Sequence, residues 1–220
     1  MKKFTICILM GAMAVGAGAQ GLRYGVEGGL NVSSPMNADG TKCGFNVGVN
    51  AQLPLKGAWY LEGALKLSSK PFTVKENYYY SPDSWSSYIY EISGKADITP
   101  YYLNIPIHAG YKVALSDNLN LSLSAGPYFG IGLWGKGTAK IDAKGDAPAG
   151  ADIESGEYDV DNVFSDGGMR RFEIGVGVKA GLEFMDHYRL SVGYDIQLNS
   201  MMKEDDYYNQ VVSVSVGYMF

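Results

Sequence analysis

Apolar side chains return at every second position in eight separate segments of this chain. Successive side chains of a strand point to opposite faces, so each segment is a strand with one apolar and one small or polar face. The clearest runs from Tyr101 to Val113, where Tyr101, Leu103, Ile105, Ile107, Ala109, Tyr111 and Val113 alternate with Tyr102, Asn104, Pro106, His108, Gly110 and Lys112. The last is the chain's end, where Val212, Val214, Val216, Tyr218 and Phe220 oppose Val211, Ser213, Ser215, Gly217 and Met219. The others begin near Leu22, Phe45, Trp59, Leu119, Phe172 and Tyr188. No stretch beyond residue 20 sustains the period of about 3.6 that an amphipathic helix needs.

The first residues read as a secretory leader. Lys2 and Lys3 precede an apolar run from Phe4 to Val15, and Ala17-Gly18-Ala19 forms a small-residue cleavage site. Residues 1–19 are therefore expected to be a cleaved signal peptide and 20–220 one barrel domain. The apolar run is shorter than the roughly 20 residues that a spanning helix requires. Without the leader's two lysines, 16 basic residues face 23 acidic ones, a net charge of −7. That balance argues against nucleic acid as a partner, since phosphate binding needs a basic patch. Cys43 is the one cysteine outside the leader, so no internal disulfide forms; it reads as a small, partly buried residue.

Each segment has about ten residues or more, enough to cross a bilayer when tilted. The connections alternate in length. Long ones are expected at 34–43, 70–98, 136–169 and 200–208, and short ones at Pro54–Gly57, Ser116–Asn118 and Met185–His187. Eight strands with long loops at one end and short turns at the other predict an all-β, eight-stranded, antiparallel, up-and-down transmembrane barrel of a Gram-negative outer membrane, porin-like in outline. Both termini are then periplasmic. A soluble barrel or sandwich would share the alternation. Three features favour the membrane: the glycine-rich polar face, the strict alternation of loop length, and aromatics near segment ends (Trp59, Tyr101, Trp134, Phe172, Phe184, Tyr188, Tyr218, Phe220).

With the polar face inward, Arg23, Lys66, Lys112, Arg171, Lys179 and Arg189 enter the lumen with Glu27, Glu62, Glu173, Glu183 and Asp195, and His108 beside them. An eight-stranded barrel is only wide enough for its own side chains. Charges there must pair, because unpaired buried charges are costly. The expectation is a plugged lumen crossed by a structural ion-pair network. A narrow path for small solutes is the alternative.

Little chemistry is legible. The two histidines are His108, mid-strand, and His187, in a short turn; none lies in a long loop, at the rim where outer-membrane acyltransferases and proteases place theirs. No Cys/His spacing supports zinc, and no nucleophile-elbow, Walker or dinucleotide motif occurs. No catalytic residue, metal ligand or cofactor is expected. The long loops carry Tyr78, Tyr79, Tyr80, Trp85, Tyr88, Tyr90, Tyr207 and Tyr208, amphipathic side chains frequent at interfaces. They could contact an extracellular ligand or protein. The plainer reading is strands continuing above the membrane. The acidic third loop shows no EF-hand spacing.

With leader, strands and terminal Phe in place, the chain resembles the PorT-like outer-membrane β-barrel family, in the OmpX/OmpA size class. Tyr101-Tyr102-Leu103-Asn104-Ile105-Pro106-Ile107, followed by Gly110-Tyr111-Lys112, is similar to the Y-L-x-I-P stretch of those barrels. Pro106 inside a strand removes a ladder donor, so a local bulge is expected there. The resemblance implies fold and location, with outer-membrane lipid and the assembly machinery as partners, the latter through Tyr218 and the terminal Phe220. It leaves open a surface or structural role, a channel, or an accessory role in secretion.

Overall fold

A computed structural model describes residues 21–36, 40–80, 90–144, 155–165, 168–203 and 207–220, with backbone alone at 76–80, 90–92 and 143–144. The leader lies outside the described residues. Ten strands form one antiparallel sheet: β1 (Arg23–Pro35), β2 (Lys42–Pro54), β3 (Trp59–Ser69), β4 (Phe72–Tyr80), β5 (Tyr90–Ser116), β6 (Leu119–Lys144), β7 (Gly156–Val160), β8 (Phe172–Phe184), β9 (Tyr188–Gln197) and β10 (Asn209–Met219). Eight of them close a ring in the order β1-β2-β3-β5-β6-β8-β9-β10. The seam between β10 and β1 runs unbroken from Gly25↔Met219 to Pro35↔Asn209. Closure leaves no open strand edge within the ring, which is what a lipid-embedded sheet requires.

The outer wall is apolar throughout, with Leu30, Val49, Leu123, Val178, Val192 and Val216 exposed around the ring. Aromatic side chains gather at both ends of this wall. At the upper end the Tyr101 ring stacks on Trp134 at 4.9 Å and meets Phe45 at 6.2 Å. At the lower end Tyr218 packs against Tyr188, Phe220 and His187, and Trp59 meets Tyr111 edge-on. Interfacial bands of this kind mark the two surfaces of a bilayer. The lower turns are tight. Met185 and Asp186 both adopt positive φ (51° and 60°), and His187 N–H returns to the Phe184 carbonyl, as in a type I′ hairpin.

Two strands lie outside the ring and continue the sheet into two of the long connections, as the plainer reading of them expects. β4 continues the β3 ladder along β5 beyond Lys70 and Pro71, with Ser69↔Tyr101 and Phe72↔Ile98 in one register. β7 pairs with the upper part of β6, from Gly137↔Val160 to Ile141↔Gly156. Much of the segments expected as loops at 70–98 and 136–169 is therefore a sheet, β4-β5-β6-β7, standing above the barrel. Its sequence lost the membrane pattern because its two faces meet water and a protein core, and no lipid.

Pro106 makes no bulge. The β3–β5 register is the same on both sides of it, and the ladder simply opens where Ala64 and Leu65 face Ile105 and Pro106. A second opening lies across β5, where Ile107 and His108 face Gly126 and Pro127. Each proline costs one ladder locally while the strand keeps its pairs on the other side. Register shifts in the β5–β6 ladder fall elsewhere: one lower, between Ala114 and Ser116, and one higher, where Tyr101↔Trp134 gives way to Tyr102↔Gly132 and leaves Leu133 as an extra residue. Cys43, expected to be partly buried, is exposed, beside the outward Phe45.

Candidate functional site: a charged lumen under an apolar cap

Inward parity brings most of the expected charges together. At the lower end Glu183, fully buried, accepts from Arg23 Nη1 at 2.7 Å, Lys112 Nζ at 2.9 and 3.0 Å, and Arg189 Nη2 at 3.3 Å. Arg189 bridges to the next layer, where its Nη1 donates to Glu62 Oε2 at 2.6 Å. Glu62 also takes Lys179 and, at 3.4 Å, Gln52 Nε2. Beside it Glu27 pairs with Lys66, lies 4.0 Å from Lys179, and accepts from Asn50 Nδ2 at 3.4 Å. Sharing carboxylates among several cations satisfies charges that a narrow lumen could not otherwise hold. Glycines make room for them: a Cβ on Gly110 would collide with the Tyr60 ring, and one on Gly177 with the Asp195 carboxylate.

The upper layer contains a residue that the sequence reading missed. Lys70 is buried, pairs with Glu173, and places its ammonium 4.9 Å from the Tyr128 ring and 5.3 Å from Tyr102. It is the first residue of the expected second loop, 70–98. Yet it continues the even-numbered inward series Tyr60, Glu62, Ala64, Lys66 and Ser68, and that parity was the available signal. Between the two layers lies a polar cavity of about 40 Å³, lined in part by Lys66, Lys70, Asn104, His108, Lys179 and Asp195. That is space for about three waters. Asp195 makes no ion pair among the described residues.

Arg171 requires a correction. It does not enter the lumen; it is exposed at the upper rim, where Nη1 donates to the Gly132 carbonyl at 3.2 Å and the guanidinium lies 5.5 Å from the Phe164 ring. It precedes the first residue of β8, so strand parity does not yet govern it.

Above the ion pairs the mouth is filled by apolar side chains. Phe72, Tyr102, Val163, Phe164, Met169 and Met201 form a buried cluster, with Val74, Ile98, Val160, Met202 and Tyr207 packed on it. Tyr102 and Phe164 meet edge-on at 5.4 Å. The segments bearing the cap are pinned by backbone bonds: Val163 N–H to the Gly135 carbonyl, Met169 N–H to Val163, Arg170 N–H to Met201, and Met201 N–H to Tyr207.

The candidate contact residues are scattered. Tyr207 packs on the cap and is half-buried, so it departs from the expected exposed loop position. The Tyr208 carbonyl accepts from Met36 N–H at 2.8 Å. Tyr78, Tyr79, Tyr80 and Tyr90 are paired in the β4–β5 ladder by their backbones, and Trp85 and Tyr88 lie outside the described residues. At the lower end Phe220 is exposed and its N–H donates to the Tyr24 carbonyl at 2.7 Å.

A closed antiparallel ring with an apolar wall, two aromatic bands and a charged interior is the architecture of an outer-membrane barrel. A family model described as an outer membrane protein beta-barrel domain matches residues 18–203, and the chain belongs to that family of bacterial outer-membrane proteins. No curated protein is matched by the sequence. Among solved structures, the chain is similar to Neisserial surface protein A (16% identity over 92% of this chain and 99% of that one, TM-score 0.46). It is also similar to Ail, the attachment invasion locus protein of Yersinia pestis, solved with the heparin analogue sucrose octasulfate (16%, 90% and 99%, TM-score 0.38). A third is OprG from Pseudomonas aeruginosa (12%, 90% and 95%, TM-score 0.36).

Proposed function

We propose that this barrel is a non-enzymatic envelope protein that acts through its extracellular sheet and loops, with a lumen closed to solutes and both termini in the periplasm. The observation that carries the reading is the filled interior. Four carboxylates, Glu27, Glu62, Glu173 and Glu183, hold cations across the bore, and the Phe72–Tyr102–Phe164 cluster covers it. The histidines give the non-enzymatic reading its support. His108 faces the lumen, and His187 sits in a lower turn with Nδ1 2.7 Å from the Met219 carbonyl. Both are remote from the extracellular rim.

Two measurements test this. In planar bilayers the purified protein should show no steady ion-sized openings; regular unitary conductance overturns the closed lumen. Pull-downs from cells carrying the whole protein, or one shortened within 72–98 and 136–160, should differ in captured partners; identical sets count against loop-mediated binding. Membership of the PorT-like subgroup, with an accessory role in secretion, rests on the Tyr101–Ile107 stretch and calls for co-purification with a large envelope complex. Tyr218 and Phe220 are assigned as the signal for the assembly machinery. Deleting Phe220 should lower the amount of protein in the outer membrane far more than it lowers stability after refolding, and unchanged membrane levels argue against that role.

A further inference from the structure

Four lysines of the extracellular half are neutralised, whereas Lys75 and Lys203 are exposed and make no ion pair among the described residues. Lys42 and Lys95 pair with Asp97, Lys140 with Glu157, and Lys70 with Glu173. Lys136, Arg170 and Arg171 are exposed and have no carboxylate partner among the described residues. They occupy one arc of the rim. Gly132 N–H donates to the Arg171 carbonyl at 2.6 Å, which sets Arg170 and Arg171 alongside the Gly132–Trp134 stretch, and Lys136 follows two residues after Trp134.

The two arginines are held in place without being used up. Arg171 spends Nη1 on the Gly132 and Leu133 carbonyls and lies over Phe164. Arg170 spends Nε on the Met202 carbonyl at 3.0 Å. A guanidinium carries five N–H donors in a fixed fork, so both retain donors without a hydrogen-bond partner among the described residues. Immediately below this arc the outer wall is apolar and aromatic: Ile131, Leu133, Trp134 and Phe172 are all exposed on the lipid side. Arg171 directly precedes Phe172 and Lys136 follows two residues after Trp134, so these cations border an acyl-chain surface at the upper end of the wall.

We infer that Lys136, Arg170 and Arg171 bind the phosphate of an outer-leaflet lipid whose acyl chains lie along Ile131, Leu133 and Phe172. Arginine forks match phosphate oxygens in bidentate geometry, and pre-anchored side chains lose little freedom on binding. The apolar floor selects a lipid over a soluble anion, which would gain nothing from it.

The test uses full-length protein in nanodiscs of phosphatidylcholine doped with a bisphosphorylated glucosamine-disaccharide lipid, followed by native mass spectrometry of the lipids retained. Wild type should retain the phosphorylated lipid with at least about tenfold preference, and Lys136→Gln/Arg170→Gln/Arg171→Gln should lose most of it. Lys136→Gln alone should weaken the preference about threefold to fivefold; the Lys136 side chain makes no hydrogen bond or ion pair among the described residues, so this variant stands even if the triple variant fails to insert. Lys56→Gln, in a lower turn, should leave the preference unchanged. Equal retention by wild type and Lys136→Gln, or no preference in wild type, overturns the assignment. A soluble arm adds inorganic phosphate and a sulfated disaccharide. If either displaces the lipid at micromolar concentration, the arc is a site for soluble anions and the lipid assignment fails.

Discussion

The bilayer-spanning wall and the sheet above it are built from the same strands, yet their faces are chemically reversed. Along the lower part of β5 the outward residues, Leu103, Ile105, Ile107 and Val113, are apolar and the inward ones, Asn104, His108 and Lys112, are polar. Above Pro100 the outward residues are Thr99, Asp97 and Lys95, while Ile98 and Ala96 turn in toward Val74, Ala139, Ile141 and Met202 along one apolar groove. The two strands of this hairpin achieve the reversal differently. In β5 the sequence itself slips phase at Thr99-Pro100-Tyr101. In β6 the odd-numbered apolar series runs straight on from Leu119 through Leu133 to Gly137, Ala139 and Ile141, and the extra residue at Leu133 turns it from outside to inside. The lesson is that "inside" has no fixed chemistry along a barrel strand. Lipid demands an apolar exterior, and water above it demands the opposite.

The largest effect should come from the electrostatic core of the wall. Glu183→Ala strands Arg23, Lys112 and part of Arg189 in the bore, and should cost about 3–5 kcal/mol in urea unfolding from lipid vesicles. A loss below about 1 kcal/mol would mean that water reaches this layer and screens it. Next comes the apolar core of the upper region. Phe164→Ala should cost about 3 kcal/mol and act locally, accelerating hydrogen exchange at Val163 and Met169 while leaving β9 and β10 protected. Equal acceleration in both places would show one cooperative unit and dissolve the contrast between regions. Third, deleting Leu133 removes the phase change in β6. Ala139 and Ile141 should then face water and Lys136 and Lys140 the cap. The expected outcome is rapid proteolysis of the β5–β6 hairpin around an intact barrel, and resistance equal to wild type would refute the role given to the extra residue.

The smallest effect concerns acid. Lys42, and then Thr73, hydrogen-bond Asp97 and hold its carboxyl well below the usual carboxylate range. A depressed folded-state value stabilises above the ordinary value of 3.8 and loses that contribution as pH falls through the depressed one. Exchange of β4–β5 amides should therefore loosen slightly in strong acid, after correction for intrinsic rates, and Asp97→Asn should abolish that dependence. The group is partly exposed, so the change is modest.

These contrasts also mark how far the chain could be read before it was folded. The eight ring strands were legible because lipid on one side and a charged bore on the other impose a strict period of two. Glu27, Glu62, Glu173 and Glu183 fell into the lumen by that rule alone. Lys70 escaped because the expected second long connection begins at it, although Lys70 and Pro71 only separate β3 from β4 within one register. Arg171 was over-read because parity was extended past the start of β8. The cap was illegible for a different reason: Val163, Phe164, Met169 and Met201 come from irregular segments, where no period announces which side chain is buried.

The two proline openings carry a last consequence, for where this wall would yield. Around β5 the hydrogen-bonded fabric is interrupted twice within four residues, once toward β3 at Ile105-Pro106 and once toward β6 at Ile107-His108. The seam where the chain's two ends meet has no such gap across its eleven pairs. Pulled apart sideways, the cylinder should tear at mid-height along β5, with the stitch between first and last strands outlasting the cloth.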